Sequence, residues 1–328
     1  MKTIRISRMG FPGNGQISWL KFIEFILSQK YNVVIDSDNP DLVIYTNLHT
    51  SPNEYDEYLK TQIKTYDSNN QNIKFLFVSG EAAHFNDHLM RGDNHFSMGY
   101  ENLDHNRYLR VPSYVFDAWT LFDESRLYDT PFHWLTEKRN YDEIIKKQKG
   151  FCSIVQASDV HFRGLVFDKL SEYKQVTSSG PWRGNCEPED SLNKMQWWSP
   201  EYRGRTDGLT YREKIDFFRK FKFNMAMHLL NIDNIIQEKL LHSYVSGAVP
   251  IFHGNRFIEE EGFNPNSFIN LHKYENNLDE FLELIKRIDT DTDLHRKYIE
   301  EPIFVDNKLP IYFDTEYLLS FFEKIFNK

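Results

Sequence analysis

Glu238 and Lys239 stand side by side in "NIIQEKLLHSYVSGAVPIFHGN", residues 234–255. They open an apolar helical run that Ser246 and Gly247 end ahead of a short strand-like stretch. A lysine in the first turn of a helix is oddly placed, because the positive end of the helix dipole disfavours a cation. A bound anion reverses that penalty, since backbone N–H groups and the ammonium would then face the same negative charge. A diphosphate fits this description; a lysine side chain reaching past the helix end into water is the competing reading. Glu81 closes a continuous apolar run, "IKFLFVSGE", where a buried strand meets a loop. A carboxylate there can act as a general base if partial desolvation raises its pKa, although an ordinary loop glutamate has the same local sequence. Arg183, in "SSGPWRGN", lies in a glycine-flanked loop after another strand-like run. From such a loop a guanidinium can clamp a phosphate with two donors.

Several other chemistries are excluded. The sequence contains no G-x-G-x-x-G, no G-x-x-x-x-G-K-[ST] and no G-x-S-x-G, so the dinucleotide fingerprint, the P-loop and the nucleophile elbow are absent. His84 and His88 in "HFNDH" are four apart, a metal-binding face if helical, but no matching third ligand is evident and no metal is expected. The carboxylates of "DTDTD" (289–293) are better suited to capping the start of a helix than to holding a cation.

The elements that must position these residues alternate. "KTIRISRMGF" reads as a strand opening into the glycine-rich "FPGNGQ", and "ISWLKFIEFILSQK" carries Leu20, Ile23 and Leu27 at helical spacing. "YNVVI", "DLVIYTN" and "IKFLFVSGE" follow as strands, with a helical stretch near Glu54–Tyr66 between the last two. The pattern restarts with "GFCSIVQAS", the helix "FRGLVFDKLSEY", the strand "KQVTSSG", a helix near Tyr211–Lys220 and the strand "KFNMAMHLL". Continuous apolar strands between helices imply parallel sheets covered on both faces, with ligands at the carboxyl ends of the strands. The expected organisation is a domain over 1–135, a charged linker at 136–149, a second domain over 150–312 and a final amphipathic helix at 313–328, able to pack on either domain.

With 328 residues, 40% of them apolar, the chain can build two such cores. A formal charge of −9 without a basic block argues against a nucleic-acid partner. Only Cys152 and Cys186 are present, which suits a reducing setting. The first fifteen residues lack the apolar core of a signal peptide, and no window reaches the ~18 apolar residues of a membrane span. A cytoplasmic protein is expected, with peripheral contact at the inner membrane face compatible with it. Its aromatic residues (27 Phe, 18 Tyr, 6 Trp) suit flat-walled nucleotide or sugar pockets and core packing equally.

These residues resemble the bacterial α-1,3/4-fucosyltransferases of glycosyltransferase family 10. The resemblance runs from "FILSQKYNVVIDSDNPDLVIYTN" through "FLFVSGE" and "NRYLRVPSYV" to "KGFCSIVQAS", "YKQVTSSGPWRGN" and "FNPNSFINLHKY". "EKLLHSYVSGAVPIFHGN" resembles the family signature TEK-(helix)-G-x-V-P-(strand)-G. The resemblance implies a GT-B fold, with two Rossmann-like α/β domains whose parallel sheets face a central cleft. It implies an inverting transfer of fucose from GDP-fucose to an N-acetylglucosamine unit of a glycan. By the same resemblance Glu81 is the base, Arg183 binds phosphate, Lys239 reaches phosphate and Glu238 lies near the fucose. His228, Asn224 and Gly180 are further donor-site positions, and Trp19 and His84 neighbour the acceptor. No metal is required, though Mg²⁺ or Mn²⁺ stimulation is compatible. The sequence departs from the family where it usually reads FEN: Met227, His228 and Leu229 stand there, with Ile235 and Gln237 for a Tyr and a Thr. These changes leave room for another nucleotide sugar, or for a glycan-binding relative without catalysis.

Overall fold

Short apolar runs separated by helices become parallel strands in two separate sheets. The computed structural model describes residues 1–9, 17–46, 60–66, 72–79, 85–120, 132, 135–156, 158–187, 209–228 and 235–327. The chain divides into two units. One comprises Met1–Thr120 together with Ile311–Lys328, and the other holds the described residues between 132 and 310.

In the first unit, β1 (Thr3–Met9), β2 (Asn32–Ile35), β3 (Leu42–Tyr45), β4 (Lys74–Val78), β5 (His95–Gly99) and β6 (Tyr108–Arg110) form one sheet in the order β2-β1-β3-β4-β5-β6. Every pairing is parallel. β3 is buried along its whole length, as its unbroken Leu-Val-Ile-Tyr run requires of a strand covered on both faces. Helix α1 (Ile17–Ser28) buries Phe22, Ile23, Ile26 and Leu27, the stripe expected of an amphipathic helix. Helices α2 (Phe85–Leu89) and α3 (Ser113–Thr120) complete the cover. Tyr45, Phe77 and Phe85 pack under α2, and the ring of His88 stacks on Phe77 at 3.5 Å while its Nδ1 meets the Tyr45 hydroxyl at 3.2 Å. His88 is thus part of the packing of this sheet, and His84 lies outside the described residues.

The second unit carries β7 (Gly150–Ile154), β8 (Val176–Ser178), β9 (Phe221–Met227), β10 (Val249–His253) and β11 (Ile269–Asn270), again all parallel, in the order β11-β10-β9-β7-β8. Its helices are α4 (Tyr141–Ile145), α5 (His161–Ser171), α6 (Leu209–Phe218), α7 (Lys239–Ser246), α8 (Leu278–Thr290) and α9 (Thr292–Glu300). Cys152, Ile154, Val166, Leu170, Phe223, Ile251, Phe281 and Ile285 form its core. The 136–149 segment belongs to this unit: α4 buries Tyr141 in that core, and Arg139 stacks over Tyr244 at 4.1 Å. Asp291 caps α9 by accepting from the backbone N–H groups of Asp293 and Leu294, both at 3.0 Å, so "DTDTD" starts a helix as its composition suggested.

The last helix, α10 (Thr315–Phe326), returns to the first unit and packs against α1. Phe326 meets Tyr31 at 5.4 Å, Phe321 meets Phe96 at 6.1 Å, and Glu323 pairs with Lys30. No helix among the described residues is long and apolar enough to cross a membrane.

Candidate functional site

Numbered from its own first strand, the second sheet has the order 2-1-3-4-5, so its direction of winding reverses between β7 and β9. In open parallel sheets, the crevice outside the carboxyl ends of the strands at such a reversal is where ligands bind. Here β7 runs out into Gln156, β9 into His228 and β10 into Gly254. Gln156 ties the first two ends together by donating from Nε2 to the Met227 carbonyl at 3.2 Å.

A buried arginine is the first polar group found at this edge. Arg163, in the first turn of α5, is 1% exposed. Its Nη1 donates to the Ser158 carbonyl at 2.7 Å, and its Nη2 donates to the carbonyls of Met227 and His228 at 3.3 and 3.1 Å. Its Nε has no hydrogen-bond partner within the protein. Burial pushes its pKa down to about 10, which still leaves the guanidinium charged at neutral pH. Nothing in "HFRGLVFDKL" distinguishes this arginine from one on the exposed face of an amphipathic helix.

His228 follows directly. Its backbone N–H donates to the His253 carbonyl at 2.8 Å, which continues the β9–β10 pairing by one residue. Its ring packs edge-on against Phe252 at 5.3 Å, and Nε2 is buried without a partner. Burial first, and the nearby Lys239 ammonium second, push its pKa down to about 3, so the ring is neutral. Gly254 makes room for it: a Cβ there would lie 2.5 Å from His228 Nδ1.

Glu238 and Lys239 sit where the sequence puts them, at the start of α7. The Glu238 side chain does not cap this helix start, and the first intrahelical bond runs from the His242 N–H to the Glu238 carbonyl at 2.8 Å. The amides of the first turn therefore lack intrahelical acceptors. Lys239 Nζ lies 3.5 Å from Glu238 Oε1, and Lys214 of α6 approaches the same oxygen at 3.9 Å. Burial works to raise the Glu238 pKa, but the charges of Lys239 and Lys214 overcome it and hold the carboxyl well below its usual range. His242, one turn on, is buried and its pKa is pushed down to about 3 by that burial. Lys214 and Lys239 thus face the Glu238 carboxylate, while Arg163, beside Asp159, lies near His228.

The remaining expected positions lie elsewhere or are spent. Asn224 is buried in β9, donates to Ser153 O and Oγ at 3.1 and 2.9 Å, and accepts from Ser243 Oγ at 2.5 Å. It ties β7, β9 and α7 together. Gly180 allows two backbones to touch, since a Cβ would fall 2.3 Å from the Gln156 carbonyl oxygen. Arg183 is not gathered with Lys239. Held at a φ of 51°, it pairs with Asp168 of α5 and lies over the rings of Trp182 and Phe167 at 4.9 and 5.0 Å. Its charge is already answered by a carboxylate and two aromatic faces. Glu81 falls outside the described residues, and no side-chain surroundings are described for Trp19. The fold also brings together His253, His272 and Glu275, a grouping the sequence does not advertise.

Comparison with known proteins bears most directly on the second unit. Residues 144–301 match the model "Glycosyltransferase family 10 (fucosyltransferase) C-term". The second unit is a family 10 glycosyltransferase domain. The chain's two units, each built on a parallel Rossmann-like sheet, give it the GT-B class of fold. The α-(1,3)-fucosyltransferase FucT of Helicobacter pylori is 26% identical over an alignment covering 98% of the chain and 66% of that protein. A putative fucosyltransferase of Acanthamoeba polyphaga mimivirus is 27% identical over 51% of the chain and 26% of its own length. The chain therefore spans about two thirds and about a quarter of these curated relatives. A crystal structure of an α1,3-fucosyltransferase superimposes with a TM-score of 0.69 at 25% identity, covering 100% of this chain and 91% of that one. A crystal structure of an α1,3-fucosyltransferase with GDP-fucose shares the fold at a TM-score of 0.66.

Proposed function

We propose that this chain is an inverting α-1,3-fucosyltransferase that moves fucose from GDP-fucose to a hydroxyl of an N-acetylglucosamine-containing glycan. The observation that carries this reading is the start of α7, where Lys239 and Lys214 flank Glu238 and the first-turn amides lack intrahelical acceptors, with Arg163 buried beside His228 at the sheet's reversal point. Such a site offers a diphosphate backbone N–H groups, two ammonium groups and a guanidinium together. The geometry supports Arg163, rather than Arg183, as the phosphate-facing arginine. His228 Nε2 offers a further neutral hydrogen-bonding group to the ribose or phosphate.

In the reaction the acceptor oxygen bonds to the anomeric carbon on the face opposite the diphosphate, and the bond from that carbon to the phosphate oxygen breaks. Glu81 takes the acceptor's proton. The negative charge left on the departing GDP builds up against Arg163, Lys239 and the first-turn amides, which are fixed before reaction and need no reorganisation. Glu238, held ionised by Lys239 and Lys214, accepts a hydrogen bond from a fucose hydroxyl. Protein cations supply the compensating charge, and Mg²⁺ or Mn²⁺ can add to the rate without being part of this machinery.

A transferase using another nucleotide sugar is the second reading, favoured by His228 and Leu229 standing where the family carries acidic and amide side chains. Thermal shift with GDP, UDP, ADP and CMP separates the two. GDP should stabilise the protein most, by about 2.7 kcal/mol at a hundredfold excess over Kd, and Lys239→Ala should abolish most of that gain. Stabilisation by UDP but not GDP contradicts the fucose reading.

A further inference from the structure

Three side chains with metal-ligand chemistry converge beyond the Glu238 cluster, at the carboxyl end of β10. His253 closes that strand, and His272 and Glu275 lie on and just after the single 3-10 turn (Leu271–Tyr274) that follows β11. The two imidazole rings are 4.4 Å apart. His253 Nε2 lies 3.0 Å and His272 Nδ1 2.7 Å from the same oxygen, Glu275 Oε1. All three ligand atoms fall within 4.8 Å of one another. Both histidine side chains are 9% exposed, and Phe162 packs on the His253 ring at 4.5 Å.

The hydrogen bonds fix which nitrogens are available. His272 Nε2 is 2.8 Å from the Gly254 carbonyl oxygen. A carbonyl only accepts, so Nε2 carries the ring hydrogen and the neutral ring turns its Nδ1 lone pair toward Glu275. Two acceptors at that separation repel unless a cation joins them. One extra proton on His272 would let its Nδ1 donate to Glu275 while a neutral His253 donates from Nε2, so a proton and a metal ion compete for this position. Arg256 Nη2 donates to the other carboxylate oxygen, Oε2, at 3.1 Å and lies 3.4 Å from Oε1. One divalent ion would take a lone pair from each ring and from the carboxylate. A histidine that gives its far N–H to a backbone carbonyl while its near nitrogen faces a cation is the usual arrangement of a metal-bound imidazole.

We infer that His253 Nε2, His272 Nδ1 and Glu275 Oε1 bind a divalent transition-metal ion of the zinc type. Two imidazole nitrogens and one carboxylate suit Zn²⁺ and leave a fourth position open, whereas Mg²⁺ and Ca²⁺ prefer oxygen shells. Tetrahedral Zn²⁺ with bonds of about 2.0–2.2 Å sets its ligand atoms about 3.3–3.5 Å apart. To admit it the rings need to part from Glu275 by about half an ångström, while their two facing nitrogens, within 4.8 Å of each other, close toward that spacing. This site does not depend on the nucleotide-sugar reading of the Glu238 cluster.

The test uses the whole chain, stripped with a chelator and dialysed against Zn²⁺, with bound metal measured by mass spectrometry and affinity by calorimetry. One equivalent is expected. Co²⁺ in its place should give the intense visible bands of a four- or five-coordinate ion. His272→Gln and Glu275→Gln should each weaken Zn²⁺ binding at least tenfold with an unchanged far-UV circular dichroism spectrum. Glu275 is a quarter exposed, so its variant serves if the histidine variant fails to fold. Arg256→Ala frees Oε2 and leaves all three ligands, so it should bind Zn²⁺ at least as tightly as the wild type. Wild-type protein that retains no more zinc than Glu275→Gln, or a Co²⁺ spectrum of the pale octahedral aquo ion, would overturn the site.

Discussion

Two arginines show how environment, more than residue type, assigns a role. Arg163 is sealed under the ends of β9 and holds three backbone carbonyls, while Arg183 lies half-exposed against Asp168. Exposed ion pairs contribute about 0–1 kcal/mol, so Arg183→Ala should leave stability and GDP affinity nearly unchanged. Arg163→Lys keeps the charge but loses the planar fork, at a cost of about 1–3 kcal/mol in stability and at least tenfold in GDP affinity. Urea unfolding and calorimetric titration with GDP measure both; equal effects of the two variants would contradict the assignment. Glu238 and Lys239 were legible because they are adjacent in sequence and placed against the helix dipole. Arg163 was not, because its burial depends on carbonyls 64 and 65 residues further along the chain.

At the scale of elements, the site rests on how α7 and β10 are held. Gly247 ends α7 with a φ of 91°, and the chain turns directly into β10, whose last residue pairs with β9 beneath His228. The strand–helix–strand order around Glu238 could be read from apolar runs and the Ser-Gly stop. The strand before it could not be bounded: "KFNMAMHLL" is apolar to its end, yet β9 stops at Met227 and His228 begins the site. Gly254 is the position where this geometry is most sensitive. A methyl group there would press on the His228 ring from 2.5 Å, so Gly254→Ala should cost about 1–3 kcal/mol through overpacking and weaken GDP binding. Adding His228→Ala to Gly254→Ala should recover part of the lost stability, measured by urea unfolding. A double variant no more stable than the additive sum would show that the ring is not what the glycine accommodates.

Across the whole molecule, four buried histidines share one electrostatic condition. Burial pushes His228 and His242 down to about 3 and His95 and His295 down to about 4. The unfolded chain binds protons at these rings near pH 6.5 and the folded chain does not, so stability falls as pH drops from about 6.5 toward 4. Each ring costs about 2 kcal/mol at pH 5, and together they rival the whole stability of an ordinary protein. Glu238, ionised in the folded state, adds a loss below its ordinary carboxylate range, in the same direction. Denaturant midpoints at pH 7.5 and 5.5 should fall clearly, and a flat profile would contradict buried neutral rings. At this scale two parallel sheets were legible from alternating apolar runs. The destination of the final helix was not: its amphipathic stripe offers a face to either unit, and only its fit against α1, Tyr31 and Phe96 decides for the first.

The proposed reaction is fucose transfer from GDP-fucose with Glu81 as the base. The most direct measurement is the initial rate of transfer from GDP-fucose to a lactosamine acceptor, for the wild type and Glu81→Gln, with the product linkage determined. An α-1,3-linked fucosyl product, formed roughly 10²–10⁴-fold more slowly by the variant, is the predicted result. No transfer from GDP-fucose, or an unchanged rate in Glu81→Gln, would contradict it.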